Sequence, residues 1–240
     1  MLRFIWVIIM NFWHGPYMIL GMRARTKFRQ KYNDEDRYAF AQKAIGYMKD
    51  SGAIKTKAYG EENLPKEGGY VMYPNHQGKY DALGIIYTHK RPCTFVMDKK
   101  KSYGFLVKEI VDMLGAKRMD INDVRQGLRI INQMTAEVKA GKRYIIFSEG
   151  GYTNNRNTVQ EFKPGSFKCA MRANAPIVPV ALIDSYKPFN SFSFGPITTK
   201  VVYLKPIYPD EYAGMKTPEV AKIVRERIID AMKEYTKQKQ

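Results

Sequence analysis

Residues 143–147 (RYIIF) and 177–183 (IVPVALI) are apolar at consecutive positions rather than at alternate ones. A strand of that kind must be covered on both faces, and helices are what cover a sheet on both sides. A third β-type run, residues 69–73, stops at the turn signal Pro74-Asn75. Shorter β-type stretches lie at 54–59, 93–97, 115–119 (strand or turn) and 198–204. Segments with helical period separate them at 34–50, 82–88, 102–114, 122–139, 165–174 and 218–235. Tyr38, Ala41, Ile45 and Met48 share one face of the first of these. Phe105, Leu106, Ile110 and Met113 are expected to pack in the third. In the fourth, Asn122 is the expected cap, Val124, Leu128, Ile131, Met134 and Val138 the apolar stripe, and Gly141 the stop. Val220, Ile223, Val224, Ile228 and Met232 line the last. The alternation predicts a single α/β domain, with a mostly parallel or mixed central sheet flanked by helices and a helical segment ahead of it.

That leading segment carries the charge question. The chain has 240 residues, 40 basic against 23 acidic, for a net charge of +17. Such a balance suits a polyanion: nucleic acid, an anionic membrane or a phosphate-bearing substrate. Residues 4–22 are apolar and aromatic but broken by Asn11, His14 and Gly15-Pro16. Arg23, Arg25, Lys27, Arg29 and Lys31 follow, with no acidic residue before Asp34. Nineteen residues give about 28 Å of helix, barely a membrane span. Aromatics followed by cations predict a monotopic or peripheral anchor on an anionic leaflet, ahead of a span or a core helix. His14 then sits at the interface. No secretory cleavage site follows. Cys93 and Cys169 lie in apolar contexts and are expected as buried thiols.

Chemistry concentrates at two strand ends. His76 follows the first, and Asp81 comes five residues later, at the start of the apolar segment 82–87. On one continuous helix that spacing would set them about 140° apart. They meet only if His76 is in the turn and Asp81 just inside the helix. A carboxylate beside an imidazole fixes its tautomer and stabilises its protonated form, the minimal general-base unit. The alternative is a helix-capping Asp81 and a satisfied turn residue. The second strand end is Ser148-Glu149-Gly150-Gly151-Tyr152, whose glycines let backbone N–H groups approach an anion, or which is simply a structural turn. Lys79, Lys117, Arg118, Arg156, Lys163 and Lys168 lie near these turns in sequence. A base and an anion cradle on one sheet edge suggest acyl or phosphoryl transfer to a phosphorylated substrate. With three histidines and no Walker loop, no metal set or nucleotide loop is implied. His89, beside Lys90-Arg91-Pro92, is expected to cap a helix.

The blocks in order resemble a known family. Asn75-His76 with Asp81 resembles the signature of the glycerolipid acyltransferases of lysophosphatidic acid acyltransferase (PlsC) type. Phe147-Ser148-Glu149-Gly150 resembles their Phe-Pro-Glu-Gly block, Phe162-Lys163-Pro164-Gly165 their Phe-Lys-x-Gly stretch, and Ala175-Pro176-Ile177-Val178-Pro179-Val180 their Pro-Ile-Val-Pro-Val block. The resemblance implies a membrane-anchoring segment at 1–50 and a catalytic domain at 51–240. It implies transfer of an acyl chain to the sn-2 hydroxyl of lysophosphatidic acid, giving phosphatidic acid at the cytoplasmic face of the cell membrane. The donor would be acyl-CoA or acyl carrier protein, with no bound cofactor and no nucleic acid. His76 would be the base and Asp81 its orienter. Asn75 would order the turn or polarise the thioester carbonyl. Glu149, Gly150, Gly151 and the nearby cations would hold the phosphate. Two departures bear on the acceptor. Gly151 and Tyr152 stand where the family has Thr-Arg, and Ile121 stands at the arginine of its Ile-Asp-Arg block. They leave open a different lysophospholipid acceptor. The charge alone leaves open a non-catalytic module for anionic membrane or nucleic acid.

Overall fold

The computed structural model describes residues 2–120, 122–191 and 195–237; Ile121 and residues 192–194, within the aromatic-rich loop at 185–196 that precedes the last strand, lie outside them. Seven strands form one sheet in the order β1-β7-β6-β2-β5-β3-β4. They are β1 (Ile54–Tyr59), β2 (Tyr70–Pro74), β3 (Thr94–Asp98), β4 (Lys117–Met119), β5 (Arg143–Ile145), β6 (Ile177–Ile183) and β7 (Ile197–Tyr203). Every pairing is parallel except β6 with β7. The sheet is therefore mixed: β1 and β7 run against the other five.

The doubly apolar runs occupy the centre, as their composition requires. In β2, Val71 and Tyr73 face one core while Tyr70 and Met72 face the other. In β6, Ile177 and Ala181 alternate with Val178, Val180 and Leu182 in the same way. One face is covered by α3 (Asp34–Ser51), α4 (Asp81–Thr88) and α5 (Val107–Met113). The other is covered by α6 (Val124–Lys139), α7 (Lys168–Ala173) and α9 (Thr217–Lys237). Asn33 caps α3 in a reciprocal box with Asp36. Helix α9 buries Val220, Val224, Ile228 and Met232 at the expected spacing.

Three local expectations are corrected. The helix expected at 102–114 is a 3₁₀ turn, Lys101–Tyr103, followed by the shorter α5. Leu106 takes a left-handed φ of 65°, which ends one piece and starts the next, and leaves Phe105 exposed rather than packed. Helix α6 is capped by Asp123, which accepts from Gln126 N at 2.9 Å, and not by Asn122. Its buried stripe is Ile130, Met134 and Val138, while Val124 and Leu128 are exposed.

Ahead of β1, α1 (Leu2–Met10) and α2 (His14–Lys27) meet at a bend of 87°. No single helix among the described residues is long and apolar enough to cross a membrane. Met18 and Met22 join the core under α3 and α5, and Arg3 bonds the carbonyls of Gly52 and Gly195. Trp6, Ile9, Met10, Phe12, Trp13, Tyr17 and Leu20 remain exposed, Trp13 at 86%. His14 stacks on Tyr47 at 4.6 Å. In the aromatic loop, α8 (Lys187–Asn190) buries Phe189 against Phe4 and Tyr80, so this part of the loop packs over the fold.

Candidate active site

The carboxyl ends of β2, β5 and β6 lie side by side, the edge at which parallel α/β sheets assemble their chemistry. His76 leaves β2 in an irregular turn, and Asp81 is the first residue of α4. The turn bends the chain back so that His76 Nδ1 meets Asp81 Oδ2 at 2.7 Å. The same Oδ2 accepts from the backbone N–H of Gln77 at 2.5 Å and of Gly78 at 2.9 Å. Asp81 is wholly buried, at a helix N-terminus that favours its charge. A carboxylate at Nδ1 fixes the hydrogen there and leaves Nε2 as the lone-pair nitrogen. The imidazole is partly exposed, stacked on Phe147 at 4.2 Å and met edge-on by Tyr152 at 4.7 Å. What this produces is an oriented base whose Nε2 has no partner among the described residues.

Asn75 is wholly buried; its amide donates to Leu182 O at 3.1 Å and accepts from Leu182 N at 2.7 Å. Both ends are engaged on β6, so Asn75 orders the turn. Gln77 braces the same turn through Leu182 O, Asn157 and Ser185 N. Asn155 holds the His76 carbonyl at 3.0 Å.

Glu149 is engaged on both carboxylate oxygens. Its Oε1 accepts the His76 backbone N–H at 2.9 Å and its Oε2 the Gln160 amide at 2.7 Å. Glu149 ties the two strand-end turns together. Burial pushes its pKa up, against the opposing pull of the His76 N–H and of Gln160. Gly150 turns with φ of 75°, and its N–H closes onto Phe147 O at 3.2 Å. The Lys163 side chain lies against Gly150, in space that a Cβ would need. The N–H of Gly151 has no partner among the described residues.

The expected cations separate into two groups. Lys163 reaches the Glu149 turn. Arg156 and Lys168 are exposed on the segments that follow it, without ion pairs among the described residues. Lys79 is exposed, with its ammonium over Phe4 at 5.9 Å. Lys117 and Arg118 are corrected: Lys117 pairs with Glu137 and Arg118 with Asp112, each at 2.6 Å. Adjacent strand residues point to opposite faces, and each cation is bound on its own face. Sequence reasoning passed over Lys101, whose ammonium lies 5.8 Å from the Tyr152 ring. The run Lys99-Lys100-Lys101 just beyond β3 is the signal that could have found it.

His89 stands at the C-cap of α4 as expected, but its ring is buried. Nδ1 bonds Arg91 O at 2.6 Å, so it carries the hydrogen, and the Tyr70 hydroxyl donates to Nε2 at 2.7 Å. Cys93 and Cys169 are buried free thiols, each pushed up to about 12 by burial. Among the described residues, no cluster of three or more His, Cys, Asp or Glu side chains could hold a metal ion.

Comparison with known proteins meets this geometry. The model of the family described as Acyltransferase matches residues 55–183. A 1-acyl-sn-glycerol-3-phosphate acyltransferase of Saccharomyces cerevisiae is 29% identical over 194 residues, 78% of this chain and 63% of its own length. A probable 1-acyl-sn-glycerol-3-phosphate acyltransferase of Mycoplasma genitalium is 25% identical over 93% of this chain and 89% of its own. The crystal structure of the 1-acyl-sn-glycerophosphate acyltransferase PlsC from Thermotoga maritima superimposes with a TM-score of 0.77 at 19% identity. It covers 98% of this chain and 96% of that one; at this identity it speaks for the fold.

Proposed function

The chain belongs to the acyltransferase family, and from that premise we propose that it transfers an acyl group from acyl-CoA or acyl carrier protein to the sn-2 hydroxyl of lysophosphatidic acid. The observation that carries this reading is the His76–Asp81 contact at 2.7 Å with Nε2 left open beside a strand-end turn. His76 Nε2 takes the proton of the acceptor hydroxyl as its oxygen attacks the thioester carbon. Asp81 stabilises the imidazolium. The tetrahedral oxyanion collapses, the C–S bond breaks, and the departing sulfur takes the proton back from His76. A thioester yields a good leaving group, so neither an acyl-enzyme nor a metal is needed. Relatives that bear the name 1-acyl-sn-glycerol-3-phosphate acyltransferase support the acceptor.

The membrane reading follows from α1 and α2. Their exposed tryptophans, isoleucines and phenylalanine, with the cations of 23–31 beyond, suit a monotopic or peripheral seat on an anionic leaflet. Within this reading, 1–50 is the anchoring segment and 51–240 the catalytic domain, and the seat is the cytoplasmic face of the membrane. Co-sedimentation with phosphatidylglycerol vesicles should fall severalfold in a Trp13→Ser, Phe12→Ser variant, and equal binding by that variant contradicts the anchor.

The activity is tested by thiol release from acyl-CoA in detergent, with and without lysophosphatidate. Release that depends on lysophosphatidate and yields phosphatidic acid is the expected result. A second reading, a lysophospholipid with a larger head group, is favoured by Tyr152 at the family's arginine position. An acceptor panel in the same assay separates the two: preference for a phosphate monoester removes it.

A further inference from the structure

We infer that Tyr152 and Lys101 together read the acceptor's phosphate, the phenol as a neutral hydrogen-bond donor and the ammonium as the charge. This rests on the lysophosphatidate reading above and specifies how this chain meets it without the arginine of the family block. The tether between the sn-2 hydroxyl and the phosphate is short. With the hydroxyl at His76 Nε2, the phosphate has to lie in the immediate surroundings of that ring. Two side chains wall it. Phe147, stacked at 4.2 Å, has no polar atom to offer, while Tyr152, edge-on at 4.7 Å, carries a hydroxyl without a partner among the described residues. Burial and the nearby Asp81 charge push the phenol's pKa up, so the hydroxyl keeps its hydrogen and remains a donor.

Lys101 supplies what the phenol lacks. Its backbone N–H bonds Asp98 Oδ1 at 3.0 Å, which fixes the turn beyond β3. Its ammonium sits 5.8 Å from the Tyr152 ring centroid, within cation–π range. It has no ion pair among the described residues, whereas Lys117 and Arg118 are neutralised by Glu137 and Asp112. An uncompensated cation and an unpartnered donor thus meet at the rim beside the base. A phosphate monoester, with its dense charge and several acceptor oxygens, matches that pair.

The test is steady-state kinetics of the full chain in detergent at saturating acyl-CoA. Tyr152→Phe keeps the ring on His76 and removes only the hydroxyl. It should raise KM for lysophosphatidate about tenfold, the loss of one charge-assisted hydrogen bond, with kcat within about twofold and KM for acyl-CoA unchanged. Lys101→Met should act in the same direction. With monoacylglycerol, which has no phosphate, the rise in KM of each variant over the wild type should be clearly smaller than with lysophosphatidate. An unchanged KM in both variants overturns the inference while leaving the function standing, and so does an equal loss with monoacylglycerol. Absence of lysophosphatidate-dependent release in the wild type overturns both.

Discussion

His76 and His89 share one chain and one kind of contact, yet they do opposite things. Each ring has an oxygen acceptor at Nδ1: Asp81 at 2.7 Å for His76 and the Arg91 carbonyl at 2.6 Å for His89. The difference lies at the other nitrogen. His89 Nε2 is filled by the Tyr70 hydroxyl and the ring is buried. Burial drives its pKa from 6.5 down to about 4, with the neighbouring Arg91 and Arg143 charges adding to the shift and the Arg91 carbonyl opposing it. His76 Nε2 has no partner among the described residues, and a carboxylate lies behind the ring. A histidine becomes a base when its far nitrogen is free and its near one faces a carboxylate; when both are satisfied by neutral groups it is a piece of the core.

The largest effect that probes this contrast is loss of the carboxylate behind His76. Asp81→Asn keeps the size and an oxygen for the Gln77 and Gly78 N–H groups, but cannot stabilise the imidazolium. Lysophosphatidate-dependent thiol release should fall by about 10²- to 10⁴-fold with the fold intact. A rate within tenfold of the wild type would remove Asp81 from the mechanism. A smaller effect belongs to His89 and is one of stability. The unfolded chain takes up its proton near pH 6.5 and the folded chain only near pH 4. Stability from this group is complete above pH 6.5 and is lost as pH falls toward 4, by about 3 kcal/mol. His89→Gln should flatten the urea-unfolding free energy across that window and leave kcat unchanged. An acid limb as steep as in the wild type would show that other groups set it.

The same contrast explains what the sequence made legible. The His76–Asp81 pair is separated by five residues, so a strand end, a turn and a helix start were enough to place it. The central strands were legible because Tyr144–Phe147 and the 177–183 run leave no polar face. Glu149 was found as a residue, but its bond to the His76 turn was not. Its partner, the His76 N–H, lies 73 residues away, and only the pairing of β2 with β5 brings the two turns together. Phosphate-side cations were the least legible. Nothing local shows that Lys117 meets Glu137, twenty residues on along α6, or that Lys101 comes to lie over Tyr152. The helix expected at 102–114 failed for a related reason. Its apolar spacing was read as a buried face, while Leu106 at φ 65° turns Phe105 outward.

All of this depends on His76 acting as the base toward an acceptor hydroxyl. The direct measurement is thiol release from acyl-CoA, with lysophosphatidate as acceptor, by His76→Ala and wild type at equal concentration of folded protein. The expected result is a loss of about 10²- to 10⁴-fold in the acceptor-dependent rate, with the circular-dichroism spectrum and thermal midpoint retained. Acceptor-dependent release by His76→Ala at close to the wild-type rate would contradict it.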